Sequence, residues 1–290
     1  MTFAGAHTAL ITPFRDGRFD ENGYRSLIEE QISGGISGIV PVGTTGESPT
    51  LDHDEHNEVI RVAVEAANKR CLVIAGTGSN STAEAVSLTT EAERLGADAA
   101  LLVAPYYNKP SQEGLYRHFR AIAESVRIPL VLYSIPGRCV IEIAVDTVAR
   151  LAADCPNIRA IKESSGSIDR VARLRAATPP GFQILSGDDF ITLPFLSAGA
   201  VGVISVASNL FPGEVSSLVR LFQDGRYDEA LALHTRLYPL FTDLFIEPNP
   251  VPVKYALSLR GKLTAEVRLP LCEMSPNHQE KLRRTLEALA

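Results

Sequence analysis

Short runs of apolar, β-branched residues alternate with longer segments of helical periodicity along the first two thirds of this chain. The runs are His7–Thr12, Gly38–Val42, Leu72–Gly76, Ala100–Ala104, Leu130–Ser134, Ile158–Lys162, Gln183–Ser186 and Gly202–Val206. They are continuously apolar rather than alternating, as strands of a parallel sheet covered on both faces must be. Between them, Glu21–Ser33, Asp52–Asn68, Ser81–Leu95 and Gln112–Val126 repeat apolar positions at helical spacing. Asp20, Asp52 and Ser81 stand where N-caps belong, and Gly96 closes a helix. Eight strand–helix units predict a (β/α)₈ barrel. The rival, an open doubly wound sheet, calls for a glycine-rich phosphate loop after the first strand, and the segment Thr12–Gly17 has none. From Pro212 onward only helical patterns follow: Glu214–Phe222, Tyr227–Phe245, Val251–Leu259 and Pro276–Leu289. The expected organisation is a catalytic barrel over 1–211 and a small helical C-terminal domain over 212–290.

Composition narrows the classes. With 290 residues, 45% hydrophobic and 21% charged, the chain can bury one large core. A net charge of -6 leaves no broad basic surface for nucleic acid. No apolar stretch approaches a membrane span, and no basic run precedes an apolar segment at the start. Cys71, Cys139, Cys155 and Cys272 are scattered without a CxxC pair, which fits reduced thiols better than a disulfide framework or a zinc site. A cytoplasmic location is expected.

A barrel presents its chemistry at the C-terminal ends of its strands. There the sequence places Gly43-Thr44-Thr45-Gly46-Glu47, Pro105-Tyr106-Tyr107-Asn108, Tyr133 with Pro136-Gly137-Arg138, Lys162, Ser186-Gly187-Asp188-Asp189, and Ile204-Ser205. No set of histidines, cysteines and carboxylates has metal-ligand spacing, so a mechanism without metal is expected. Of six lysines, Lys69, Lys109, Lys254, Lys262 and Lys281 fall in helices or polar loops, and Lys162 alone interrupts an apolar strand. Strand alternation sets Ala160, Lys162 and Ser164 on one face and Ile161 on the other. If Ile161 faces the helices, Lys162 points into the barrel, where desolvation favours the neutral, nucleophilic amine. The competing reading pairs Lys162 with Glu163 or Asp188 as a structural ion pair. Backbone N–H groups and the Thr44 and Thr45 hydroxyls suit a small carboxylate, unless they merely form a tight turn. Tyr106, Tyr107 and Tyr133 serve either packing or proton transfer. Arg138 is either a surface residue or a fork for a second carboxylate.

With these residues in place, the sequence resembles the dihydrodipicolinate synthase/N-acetylneuraminate lyase family over essentially its whole length. The resemblance is carried by Gly43–Glu47, Tyr133-Ser134-Ile135-Pro136-Gly137-Arg138, Ile161-Lys162-Glu163-Ser164-Ser165-Gly166, Gly202–Ser205 and Pro248-Asn249-Pro250-Val251-Pro252-Val253-Lys254. It implies that Lys162 forms an imine with pyruvate and that the enamine attacks aspartate semialdehyde, with no bound cofactor. It implies that Tyr133 passes protons through Thr44 or Thr45 to Tyr107, the latter offered across a subunit interface. Arg138 would hold the semialdehyde carboxylate, while Thr45, Gly187 and the backbone near Ile204 position pyruvate. A homotetramer built from two tight dimers is implied as well.

The same resemblance marks a feedback site for L-lysine at Ser48, Pro49, His53, His56, Asn80, Glu84 and Tyr106. Glu84 would take an ammonium and Asn80 a carboxylate. Against this, Ser81-Thr82-Ala83-Glu84 also fits a capping box, and two helical histidines are commonly solvated. Ser134 and Cys139 depart from the family pattern, which commonly has asparagine and threonine there. Two other functions remain in view: a lyase for sialic acid or 2-keto-3-deoxy sugar acids using the same lysine, and a non-catalytic binder of keto acids or amino acids.

Overall fold

The computed structural model describes residues 1–261 and 263–289. Lys262, expected in a helix or polar loop, and Ala290 lie outside the described residues.

Eight parallel strands close into a barrel: β1 (Gly5–Ala9), β2 (Gly38–Val40), β3 (Leu72–Gly76), β4 (Ala99–Val103), β5 (Leu130–Ser134), β6 (Ile158–Glu163), β7 (Gln183–Ser186) and β8 (Gly202–Ser205). Neighbours in sequence are neighbours in the sheet, and β1 closes it by pairing with both β2 and β8. Helices α1 (Glu21–Ser33), α2 (His53–Ala67), α3 (Thr82–Arg94), α4 (Gln112–Ser125), α5 (Val145–Asp154), α6 (Ile168–Ala177) and α7 (Thr192–Ser197) return the chain between strands, and α8 (Pro212–Gln223) follows β8. Three more follow: α9 (Tyr227–Asp243), α10 (Val251–Ser258) and α11 (Pro276–Glu287).

The caps behave as the sequence predicts. Asp20 accepts from Gly23 N, Ser81 accepts from Glu84 N, and Asp52 with Glu55 makes a complete capping box on α2. Strand alternation splits the apolar residues into two layers. Val131, Tyr133, Ala160, Leu185 and Ile204 fill the barrel interior, whereas Leu130, Leu132, Ile161 and Ile184 pack outward against helices.

One strand differs from its expected span by more than two residues at an end. The first was expected at His7–Thr12 and runs instead from Gly5 to Ala9. Leu10 and Ile11 are apolar because they pack in the outer core, and Ile11 N donates to Asn209 Oδ1 rather than to a neighbouring strand. A two-residue hairpin, Phe14–Arg15 with Arg18–Phe19, then carries the chain towards α1. Helix α8 packs on β1 and β8 as well as on α9.

Candidate active site

Lys162 lies on β6 and points into the barrel with Ala160, while Ile161 faces the helices. In register on β5 stands Tyr133, so amine and phenol share a face, and Lys162 Nζ sits 4.2 Å from the Tyr133 ring centroid. Lys162 has no ion pair or hydrogen bond among the described residues. The structural pairing with Glu163 is therefore overturned. Glu163 faces the opposite way, accepting from Arg170 Nε at 2.8 Å and from Ser165 N at 2.8 Å. Asp188 remains near enough to act through its charge, but it makes no salt bridge with Lys162. Burial draws the Lys162 ammonium down to about 8, against a smaller upward pull from Asp188 and Asp189. Burial likewise pushes the Tyr133 phenol up, with Asp188 acting in the same sense, so it keeps its proton. The Asp188 carboxyl is itself raised by burial, with Lys162 opposing.

Gly187 makes room for this lysine. A Cβ there would lie 3.0 Å from Lys162 Cε and 1.9 Å from Ser164 Oγ. Lys162, Tyr133, Thr44, Thr45, Arg138 and Gly187 line one cavity at the mouth of the barrel. Ile204 is buried in the interior layer and does not line it; Val206 does. Arg138 sits within a single helical turn at Pro136–Cys139 and is free of ion pairs among the described residues, leaving its guanidinium available.

Among the lining residues to which sequence reasoning gave no site role are Asp188, Phe245 and Asn249. The last two come from the C-terminal region, and Asn249 Nδ2 donates to Thr45 Oγ1 at 2.9 Å. Its signal was present in the Pro248–Lys254 motif, without a partner to give it meaning. Lys254 lies in α10, as expected of a helical lysine, and is fully buried and paired with Glu47. Tyr107 stands apart. It is 90% exposed, adopts φ of 70°, and does not line the cavity of the single chain.

A second cavity adjoins the first. Ser48, Pro49, His53, His56, Glu84 and Tyr106 line it, and Thr44 and Arg138 are shared with the first. Asn80 is not in the lining; its amide donates to Tyr106 O at 3.2 Å. His53 Nε2 lies 2.9 Å from Glu84 Oε1, and Ser79 Oγ donates to the other oxygen. The capping-box alternative holds only by half: Ser81 caps α3, but the Glu84 carboxylate turns to Ser79 and His53, and Ser79 Oγ takes the Ser81 N–H. His56 is not solvated. It is buried, donating from Nε2 to Gly76 O at 2.9 Å, and its Nδ1 has no partner among the described residues. Cys139, also in this wall, is a buried thiol whose Sγ donates to Ala104 O at 3.2 Å.

A closed parallel barrel with a desolvated lysine at its mouth, flanked by a phenol and a hydroxyl-lined turn, defines a (β/α)₈-barrel enzyme with a buried amine. More narrowly, the chain belongs to the Dihydrodipicolinate synthetase family, which it matches over residues 2–289. It is 58% identical to a 4-hydroxy-tetrahydrodipicolinate synthase from Methylacidiphilum fumariolicum SolV, with a TM-score of 0.98 over 99% of this chain and 96% of that one. It is similar to a dihydrodipicolinate synthase from Cyanidioschyzon merolae solved with lysine bound, at 44% identity and a TM-score of 0.97, covering 99% and 98% of the two chains. A chloride-inhibited dihydrodipicolinate synthase from Acinetobacter baumannii, complexed with pyruvate, is 43% identical with a TM-score of 0.96, covering 99% of each.

Proposed function

We propose that this enzyme condenses pyruvate with L-aspartate 4-semialdehyde to give 4-hydroxy-tetrahydrodipicolinate, a step towards diaminopimelate and lysine. The observation that carries this reading is the buried Lys162 amine, unpaired among the described residues, beside Tyr133 at the head of a cavity that also exposes Arg138. A neutral Lys162 Nζ attacks C2 of pyruvate, and the carbinolamine loses water to form a protonated imine. Loss of a C3 proton sends its electron pair into the C2–C3 bond, with the iminium nitrogen as sink. The enamine carbon then attacks the aldehyde, whose oxygen takes up a proton. The amine of the semialdehyde finally adds to C2 and expels Lys162. Tyr133 gives its proton to the carbinolamine hydroxyl as water leaves; the phenolate so formed takes the C3 proton and then returns it to the aldehyde oxygen, with the Thr44 and Thr45 hydroxyls extending its reach. The turn at Gly43–Thr45 receives the pyruvate carboxylate, with Gly187 leaving room beside the imine. No bound cofactor is needed, because the imine nitrogen supplies the electron sink.

Arg138 favours a short anionic aldehyde, since a sugar-acid chain needs several hydroxyl partners along its length. Tyr107 projects from one chain and does not line the cavity of Lys162, which supports a second copy bringing it to the site in a homotetramer of paired dimers. Borohydride reduction with pyruvate, followed by peptide mapping, tests the core of the mechanism. The expected adduct is on Lys162; its absence would leave only a binding protein. Turnover confined to sugar acids would refute the choice of acceptor.

The second cavity supports feedback by L-lysine. Glu84 offers a carboxylate to the side-chain ammonium, and His53, His56 and Tyr106 surround it. Calorimetric titration should give saturable L-lysine binding with inhibition of turnover; neither effect at millimolar lysine would reject this site.

A further inference from the structure

The turn that carries Thr44 and Thr45 is bracketed by two non-glycine residues in the left-handed region, Val42 at φ of 50° and Glu47 at φ of 55°. For a β-branched valine and a glutamate this is unfavourable backbone, and surrounding contacts must hold it. On one side the hold is visible: Thr12 Oγ1 donates to Gly46 O at 2.7 Å, and a Cβ at Gly46 would lie 2.9 Å from Val42 N and Cα.

The other side is built by a segment more than 200 residues away. The Glu47 side chain is 1% exposed and that of Lys254 0%. Lys254 Nζ donates to Glu47 Oε1 and, at 2.8 Å, to Glu266 O, and it lies 4.1 Å from the Phe14 ring centroid. The second Glu47 oxygen accepts from Arg268 N at 3.0 Å. Arg268 is fixed in turn by two 2.7 Å bonds to Glu55 at the start of α2. Neither Glu47 nor Lys254 lines the cavity, so neither touches substrate. A buried ion pair is weak evidence for stability, because desolvation offsets most of its attraction. Its use here is directional.

We propose that the Glu47–Lys254 pair is a positioning device for the reaction, pinning residue 47 in its left-handed conformation so that the Thr44–Thr45 turn faces the pyruvate carboxylate. This rests on the reading that the turn receives that carboxylate. Without the pair, residue 47 relaxes towards ordinary φ, the Glu47 N to Thr44 O bond of 3.1 Å opens, and the turn tilts away.

Three variants of the full-length enzyme test it. Lys254→Met should raise the KM for pyruvate about tenfold, the scale of one residue's left-handed preference, and leave the KM for the aldehyde unchanged. Glu47→Gly/Lys254→Met should recover most of the pyruvate KM, since glycine takes positive φ without a clamp. Glu47→Ala/Lys254→Met, equally free of buried charge, should not recover it. A merely structural pair would change the yield of folded enzyme and leave the two double variants alike. Equal pyruvate KM in both doubles therefore overturns the proposal, even if Lys254→Met alone does not fold. So does an unchanged pyruvate KM in folded Lys254→Met. Borohydride trapping on the wild-type enzyme separates the two levels: an adduct at Lys162 with equal doubles sinks only the clamp, whereas no adduct sinks the underlying reading.

Discussion

The depressed pKa of Lys162 makes a quantitative claim about how fast the imine forms. An ordinary lysine has a value of 10.5, and burial draws this one to about 8. At 1.36 kcal/mol for each factor of ten, the barrel favours the neutral amine by about 3 kcal/mol. At pH 7.5, about one chain in four then carries the nucleophilic form, against about one in a thousand for an exposed lysine. The rate of borohydride trapping at subsaturating pyruvate, followed by intact mass between pH 6 and 10, should rise tenfold per pH unit and level off near pH 8. The neighbouring charges give the sign of two further shifts. The Asp188 carboxylate stabilises the ammonium, so Asp188→Asn should move the inflection to lower pH. The Arg138 guanidinium opposes the ammonium, so Arg138→Gln should move it to higher pH. A rate still climbing through pH 10, or opposite shifts in the two variants, would refute the desolvation argument.

Burying an amine whose folded pKa lies below its unfolded value costs stability in full below about pH 8, and the cost fades as pH rises to 10.5. Lys162→Met should accordingly be inactive yet more stable at pH 7, by at most about 3 kcal/mol, with the gap closing towards pH 10.5 in urea unfolding. A gap independent of pH would argue against the shift. Gly187→Ala should fold but lose about a hundredfold in kcat/KM, because its Cβ displaces Lys162. Adding Ser164→Gly, which removes the 1.9 Å clash, should recover part of that loss in steady-state assays. Glu84→Gln should weaken L-lysine binding about tenfold by calorimetry while turnover without lysine is unaffected; undiminished affinity would point to another ammonium partner.

Much of the architecture is legible along the chain because its causes are local. A strand covered on both faces must be apolar at every position, so seven of the eight runs appear in the sequence within a residue or two of their observed ends. Caps such as Asp52 and Ser81 act within three residues of themselves, and so they too can be read. Lys162 declares itself for the same reason: a charge inside such a run breaks a rule that local sequence obeys, and period two gives its direction. The first strand reads too far along the chain because Leu10 and Ile11 continue the apolar pattern past its end at Ala9.

Long-range partners are a different matter. Lys254 reads as an ordinary helical lysine, and only the docking of α10 against the hairpin and the turn at Glu47 takes it out of water. Nor do Asn249 and Phe245 reveal that they wall the cavity. Glu84 looks like the far arm of a capping box until folding brings His53 and Ser79 to its oxygens. Tyr107 projects from one chain, 90% exposed. Desolvation, ion pairing and cavity walls arise from atoms converging in space, and a linear pattern carries no distance between residues 47 and 254. The chain's periodicity settled where its amine would point; the packing of its C-terminal helices settled what surrounds the turn that faces it.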